Sequence, residues 1–501
     1  MSDRTPILIG AGQITQRDVP PEAVQEPVVL MRDAARAAAR DARLTDAALA
    51  RVDVVAVVNL LSWTYANAPR RLAGLLDAQP RDEIYTTIGG NSPQSLVNAT
   101  AARIARGEVA LALLAGAEVM NGVKRARRAG VPLAWDEPAS TPVPQSFGDG
   151  RSGTTDHEVK HGLFLPVQVY PLFENAIRAR AGRTQAEHLQ HLGRLCARLA
   201  AVAEGNPYAW FRSARSAAQI ATVDADNRII AWPYPKLMNS IIDVDQGAAL
   251  LMTSVGMAKE LGVPRERWVF LQGCAEAHDR WFVSERCDYA RSPAIAAVAR
   301  RALATAGVTI DDVDLFDLYS CFPSAVQMAQ DALGLSPDDP RPITVTGGLA
   351  AFGGPGNNYS MHGIASMMDR LRERPGTRGL VTALGWYVTK HAIGVYGTEP
   401  VPQPSDAAAG SLQPALDAMP SPELAEQPDG PATIETYTIA HGRGGEPERG
   451  IVIGRLADGR RFLAALDGER ADLEGLEREE GVGRTGRVTP GGNGANLFRL
   501  G

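Results

Sequence analysis

Apolar residues change period in a repeating way along this chain. Residues 6–15, PILIGAGQIT, form a short apolar run broken by Gly10 and Gly12 and read as a first strand. Residues 32–60, RDAARAAARDARLTDAALARVDVVAVVNL, start as an Ala/Arg-rich helix, pass a polar turn and end in a Val-Asp-led strand. The same order recurs at 293–318, PAIAAVARRALATAGVTIDDVDLFDL, with Val52-Asp53 and Val313-Asp314 in register. Further on, SPQSLVNATAARIARGEVALALLAGAE predicts a helix and a buried strand. NNYSMHGIASMMDRLRERPGTRGLVTALGWY predicts the same pair, with Gly107 matching Gly376 and Gly116 matching Gly385. Two related α/β halves are expected, each with strands alternating with helices.

The repeat is interrupted between residues 121 and 245. This stretch opens loop-rich (WDEPASTPVPQSFGDGRSGTT) and turns helical (TQAEHLQHLGRLCARLAAVAEG). Long non-periodic stretches inside a domain usually shape a site. After about residue 400 a Pro/Ala/Ser linker precedes TIETYTIAH, GIVIGRL and RRFLAAL, which alternate as strands do. Asp458-Gly459 marks a hairpin between the last two. The Gly-rich end, PGGNGANLFRLG, reads as mobile. The expected division is 1–120 with 246–262, an insertion at 121–245, a second half at 263–402, a linker at 403–431 and a β domain at 432–501.

The 501 residues are 45% hydrophobic and 22% charged, which suits a globular protein that buries a large core. A net charge of −6 argues against a whole-chain binder of nucleic acid or anionic membranes. No apolar run reaches the ~20 residues of a membrane span, and the first residues do not read as a signal peptide. Cys196, Cys274, Cys287 and Cys321 form no CxxC pair, so no metal site is expected and free thiols in a reducing cytoplasm are. Lysine is rare beside arginine, which fits a high-GC bacterial gene.

Two βαβαβ-type halves, a large insertion in the first, and GAE, GGL and GGP turns at these places resemble the thiolase superfamily. The likeness covers roughly residues 5–400 and is greatest to the sterol-carrier-protein branch. The linker and β domain resemble those of the bacterial type 1 thiolase-like proteins with an additional C-terminal domain. The resemblance implies a layered α/β/α/β/α fold, with the insertion carrying a coenzyme A site and an OB-like barrel at the end.

It also implies where chemistry would sit. Thiolases place a nucleophilic cysteine at the N-terminus of a buried helix, where the dipole lowers its pKa. Here Gly90 falls near that position, followed by Asn91 and Ser92. Ser92 is either a substitute nucleophile or the helix cap, with Pro93 at the first helical position. The family's Asn-Glu-Ala-Phe or His-Asp-Cys-Phe becomes Tyr319-Ser320-Cys321-Phe322. Tyr319 is then either a carbonyl polariser or a packed ring, and Cys321 is the one thiol on a motif. Gly-His-Pro becomes Gly353-Gly354-Pro355, so Gly354 replaces the histidine. Asn357, Asn358, Tyr359 and His362 follow at a helix start. The Cys-x-Gly turn becomes Gly385 to Ala392, with Trp386 near the cysteine position and Lys390 and His391 as added titratable groups.

Tyr319, Cys321, Tyr359, His362 and His391 are thus the catalytic candidates. Gly90, Asn91, Ser92, Gly354, Asn357 and Asn358 line the expected pocket. Trp210, Arg212, Arg215 and Lys236 are the candidates for a nucleotide: cations meet phosphates and rings meet adenine. The expected ligand is a coenzyme A thioester, with no covalently bound cofactor, no metal and no nucleic acid. Acyltransferase activity in lipid metabolism follows by resemblance. The rivals are a retro-aldol or Claisen-type lyase acting on a β-hydroxyacyl-CoA and a non-catalytic acyl-CoA or lipid binder. Thiolases pair their sheets across a dimer. The extra domain is expected to leave either a homodimer or, by covering that surface, a monomer.

Overall fold

A computed structural model describes residues 2–135, 142–401, 410–492 and 494–501. Residue 402 at the end of the predicted second half, part of the predicted linker, 403–409, and part of the insertion loop, 136–141, lie outside these residues. The N-terminal half supplies strands β1 (Pro6–Thr15), β2 (Val54–Val57), β3 (Asp82–Thr86) and β4 (Leu111–Val119). The insertion contributes β5 (Gln145–Phe147), β6 (Ile229–Ala231) and β7 (Tyr234–Pro235), and β8 (Asp245–Ser254) returns to the first half. The second half carries β9 (Val269–His278), β10 (Leu315–Asp317), β11 (Arg378–Gly385) and β12 (Lys390–Gly397).

These strands hydrogen-bond in the order β10-β11-β12-β9-β1-β8-β4-β2-β3-β5. Antiparallel pairing of Ile7 with Phe270 and of Leu8 with Val269 joins the two half-sheets. The repeat is visible in its details. Asp53 accepts the Leu111 N–H and Asp314 accepts the Arg378 N–H, so each Val-Asp pair pins the start of the neighbouring strand.

The Ala-rich helices follow from close packing. A Cβ on Gly10 or Gly12 would fall on the carbonyl oxygens of Ala38 or Ala34, in the helix Pro27–Asp41. A Cβ on Gly273 would fall on that of Ala302, in the helix Pro293–Ala306. Only small residues on both sides let backbone meet backbone. Two further helices, Ser92–Ala105 and Tyr359–Glu373, lie between the half-sheets, each touching strands of both. Together these layers make the thiolase fold.

The last strands, β13 (Gly430–His441), β14 (Pro447–Leu456), β15 (Arg461–Leu466), β16 (Thr485–Thr489) and β17 (Leu497–Leu500), close a five-stranded barrel through β13–β14 pairing. Two expectations need correction. The end of the chain is not loose: β17 pairs with β15 and β16, and Phe498 is fully buried in the barrel core. The barrel is not separate either. β13 pairs with β6 of the insertion, and Ile451, Ile453 and Leu463 share a core cluster with Tyr170 and Phe173. At the outer edge of the first half-sheet β5 pairs with β3. Among the described residues no helix is long and apolar enough to cross a membrane.

Candidate active site

The Ser92–Ala105 helix begins beside Gly89 and Gly90. Its N-cap is Asn91, which makes no capping bond, rather than Ser92. The Ser92 hydroxyl donates instead to Thr87 O at 3.2 Å. Gly89 N–H donates to Asn357 Oδ1 at 2.9 Å, Asn357 Nδ2 donates to Asn59 O at 3.0 Å, and Ser360 Oγ donates to Gly90 O at 2.8 Å. The two halves thus lock this turn with amide and hydroxyl bonds.

A Cβ on Gly90 would overlap the Tyr319 hydroxyl and come within 2.5 Å of Leu384 O. Tyr319 comes from the end of β10, so a phenol from the second half fills the space where a side chain at position 90 would stand. Its hydroxyl makes no hydrogen bond among the described residues, and burial raises it well above the usual phenol range. It lines a void of about 10 Å³ with His391, Thr382 and Leu384. That is about the room of one water molecule.

Gly354 is filled in the same way, from Ser240. A Cβ there would overlap Ser240 Oγ, and the Gly354 N–H donates to Ile241 O at 2.7 Å. The other candidates are bound up. Burial pushes the Cys321 thiol up to about 12, which leaves it protonated and a poor nucleophile. The Tyr359 hydroxyl shares a hydrogen bond with Thr346 Oγ1 at 2.6 Å and meets Tyr319 edge to face at 5.5 Å. His362 is fully buried, with Nδ1 2.9 Å from Gln13 Oε1. Burial lowers it to about 3, so it stays neutral. His391 Nε2 lies 3.1 Å from Asp279 Oδ2. Asn358 donates to Gly116 O at 2.7 Å. The structure therefore brings Tyr319 and His391 to one void, while His362 and Cys321 sit in packed surroundings.

A buried acid at the end of β4 escaped sequence reasoning, although it belongs to the GAE motif. Glu118 is buried against Gly356 and accepts the Leu61 and Ser62 N–H groups, each at 2.8 Å. Burial raises it to about 7.

The open space lies elsewhere. A cleft of about 600 Å³ is walled by the insertion, with Arg215, Lys236 and Phe211 among its lining and Ser320, Phe322 and Gly348 at its edge in the second half. Trp210 and Arg212 do not line it. The Trp210 N–H donates to Phe352 O at 2.7 Å, and Arg212 is exposed. Asp224 and Asp226, unremarked in the sequence, line the cleft too. Residues 320 and 322 face this cleft, and the side chain of 319 faces Gly90 instead.

Gly90→Cys is expected to destabilise the protein by about 1–3 kcal/mol, the usual range for overpacking a filled core. Tyr319→Gly is itself costly, but the double variant should lose less than the sum of the two single losses in urea unfolding, because the phenol no longer contests the space. Additive losses would show that the two positions do not share the space.

Residues 411–493 match a family model described as the thiolase-like protein type 1 additional C-terminal domain. A 3-ketoacyl-CoA thiolase of Aeromonas hydrophila is 30% identical over 141 residues, 28% of this chain and 33% of that protein. A peroxisomal 3-ketoacyl-CoA thiolase 2 of Arabidopsis thaliana is 34% identical over 82 residues, 16% and 17% of the two chains. The chain thus spans a third or less of the length of these curated relatives. The human mitochondrial 3-ketoacyl-CoA thiolase (14% identity, TM-score 0.55) and an Ltp2-ChsH2(DUF35) aldolase (18%, 0.58) each cover 79% of this chain and share its fold. The whole chain superposes on the whole of a monomeric SCP2-thiolase-like protein type 1 from Mycobacterium smegmatis, at TM-score 0.84 and 38% identity. With that match along its full length, and a C-terminal domain of the same description, this chain belongs to the type 1 SCP2-thiolase-like proteins.

Proposed function

We propose that this protein binds an acyl-CoA-type thioester and does not transfer its acyl group through a cysteine. The observation that carries the reading is the Tyr319 hydroxyl lodged against Gly90. An acyl-enzyme needs a nucleophile with room for a tetrahedral carbon beside it. A thiol held at about 12 and a void of one water supply neither. The insertion cleft supports binding. Arg215 and Lys236 are cations suited to phosphates, and Phe211, Ile220 and Met238 offer apolar surface to a pantetheine arm or acyl chain. The thioester is a ligand on this reading, with no covalent cofactor, in lipid or acyl-CoA metabolism in the cytoplasm. The chain acts as a monomer, as the full-length structural relative does.

Calorimetry with coenzyme A, acetyl-CoA and a longer β-hydroxyacyl-CoA tests this. Binding without release of free thiol is expected. The pair Arg215→Ala and Lys236→Ala should weaken it about tenfold or more, the worth of one to two lost charge-assisted bonds. No heat with any of the three would remove the reading. Thiol release on mixing would restore an acyl-transfer activity, and an aldehyde or ketone split from the β-hydroxyacyl-CoA a lyase activity.

A further inference from the structure

Lys390 has no part in that reading, yet its surroundings are unusual for a lysine. It opens β12 directly after a turn in which Trp386 and Val388 both have φ 55°, a region that a β-branched residue seldom enters. The surroundings force this turn. Arg286 donates to Val388 O at 2.7 Å and Tyr387 O at 2.9 Å, and the Tyr170 hydroxyl donates to Trp386 O at 2.8 Å. Backbone strain that is held from several sides tends to mark functional positions.

The Lys390 side chain is only 6% exposed. Its stem runs between two glycines that leave it room: a Cβ on Gly89 would stand 2.7 Å from Nζ, and one on Gly385 3.0 Å from Cε. Nζ donates to the carbonyl of the exposed Ile88 and makes no ion pair among the described residues. The acid nearest in charge, Asp149, is taken by Arg151 at 2.7 Å. The Trp281 ring centre is 6.0 Å from Nζ. Asn91 Oδ1, buried without a partner, lies against the same two glycines. These groups make up the electrostatic surroundings of Nζ: Asp149, Arg151, the Ile88 carbonyl and the indole face. Burial lowers the amine to about 8, with Arg151 adding to this and Asp149 opposing it.

We propose that Lys390 is a carbonyl-capture site, whose Nζ condenses with a small aldehyde to form an imine. The nitrogen lone pair adds to the carbonyl carbon. The resulting carbinolamine then loses its hydroxyl, with a proton, as water. No oxidant or other co-reactant is needed. Because Lys390 is only 6% exposed, a small aldehyde is the carbonyl compound expected to reach it. Asn91 Oδ1 is an acceptor free to receive the carbinolamine hydroxyl.

The chain has five lysines, Lys124, Lys160, Lys236, Lys259 and Lys390, so it carries its own controls. The full chain is treated at pH 7 with acetaldehyde and sodium cyanoborohydride, which reduces an imine to an ethylamine, and the modified lysines are located by peptide mass mapping. Lys390 is expected to be ethylated about tenfold faster than the exposed Lys160 and Lys236, because more of it is unprotonated. The advantage should shrink at pH 10 and vanish in urea. Lys390→Arg should remove the fast site. If that variant fails to fold, the competition within the wild-type chain still decides. Labelling of Lys390 at or below the rate of Lys160 overturns the proposal.

Discussion

Arg461→Met is expected to lower the unfolding free energy by about 3–5 kcal/mol, the cost of breaking a buried ion pair from one side. Arg461 lies on β15 and is fully buried. Its guanidinium meets Glu435 through two hydrogen bonds of 2.9 and 2.7 Å. It also donates to Ser284 O at 2.9 Å and Arg286 O at 2.6 Å, and it lies 4.7 Å over the Tyr289 ring. Methionine keeps most of the volume and none of the donors. Two carbonyls of the second half would then lose a partner, and Glu435 would keep only Arg455. Urea unfolding followed by circular dichroism measures the loss. A change below about 1 kcal/mol would mean that the barrel is held by its apolar contacts with the insertion and hardly by this one.

His188→Leu carries a comparable cost at neutral pH, again about 3–5 kcal/mol. Glu174 and His188 are both fully buried and meet at 2.7 Å. Tyr234 donates to the same carboxylate at 2.6 Å and Gln327 at 2.7 Å. Burial works against the Glu174 carboxylate, but the bonds from His188, Tyr234 and Gln327 hold it below the usual range. Leucine removes the strongest of these, so burial prevails and the folded pKa rises above the unfolded one. A group raised in this way binds its proton more readily when folded. The variant's deficit is therefore largest above the raised pKa and diminishes as pH falls through it. Unfolding at pH 8 and pH 5 tests the sign. A deficit that grew on acidification would contradict the account of the pair.

The repeat was legible because the same residue types meet the same need in both halves. The Val-Asp pairs sit where the neighbouring strand needs an acceptor for its first N–H. Alanine and glycine recur where a helix lies directly on a strand. The closed state of the site was less legible. Glycine at 90 and 354 shows that a side chain is absent, but not what replaces it. Tyr319 and Ser240 arrive from distant parts of the chain, and nothing near either glycine announces them. Arg212 and Arg215 look alike in sequence, yet only Arg215 reaches the cleft. The C-terminal strand was misread for the opposite reason. Glycines next to LFRL suggested looseness, but Phe498 supplies apolar area that the barrel core cannot spare. Glu118 was passed over because a carboxylate at a strand end looks ordinary until its burial is known.

The short strand β5 limits how other molecules can approach. It ends the ten-stranded sheet on one side after three residues, and Pro144, just ahead of it, has no N–H to offer a newcomer. At the opposite end the outer flank of β10 is already engaged, with the Phe316 and Leu318 N–H groups given to Pro342 and Ile343. Among the described residues one end thus offers an edge of three residues and the other an engaged one, which disfavours a foreign peptide zipping onto either. A protein docking on this sheet is then expected to recognise side chains, and recognition by side chains can be abolished one residue at a time.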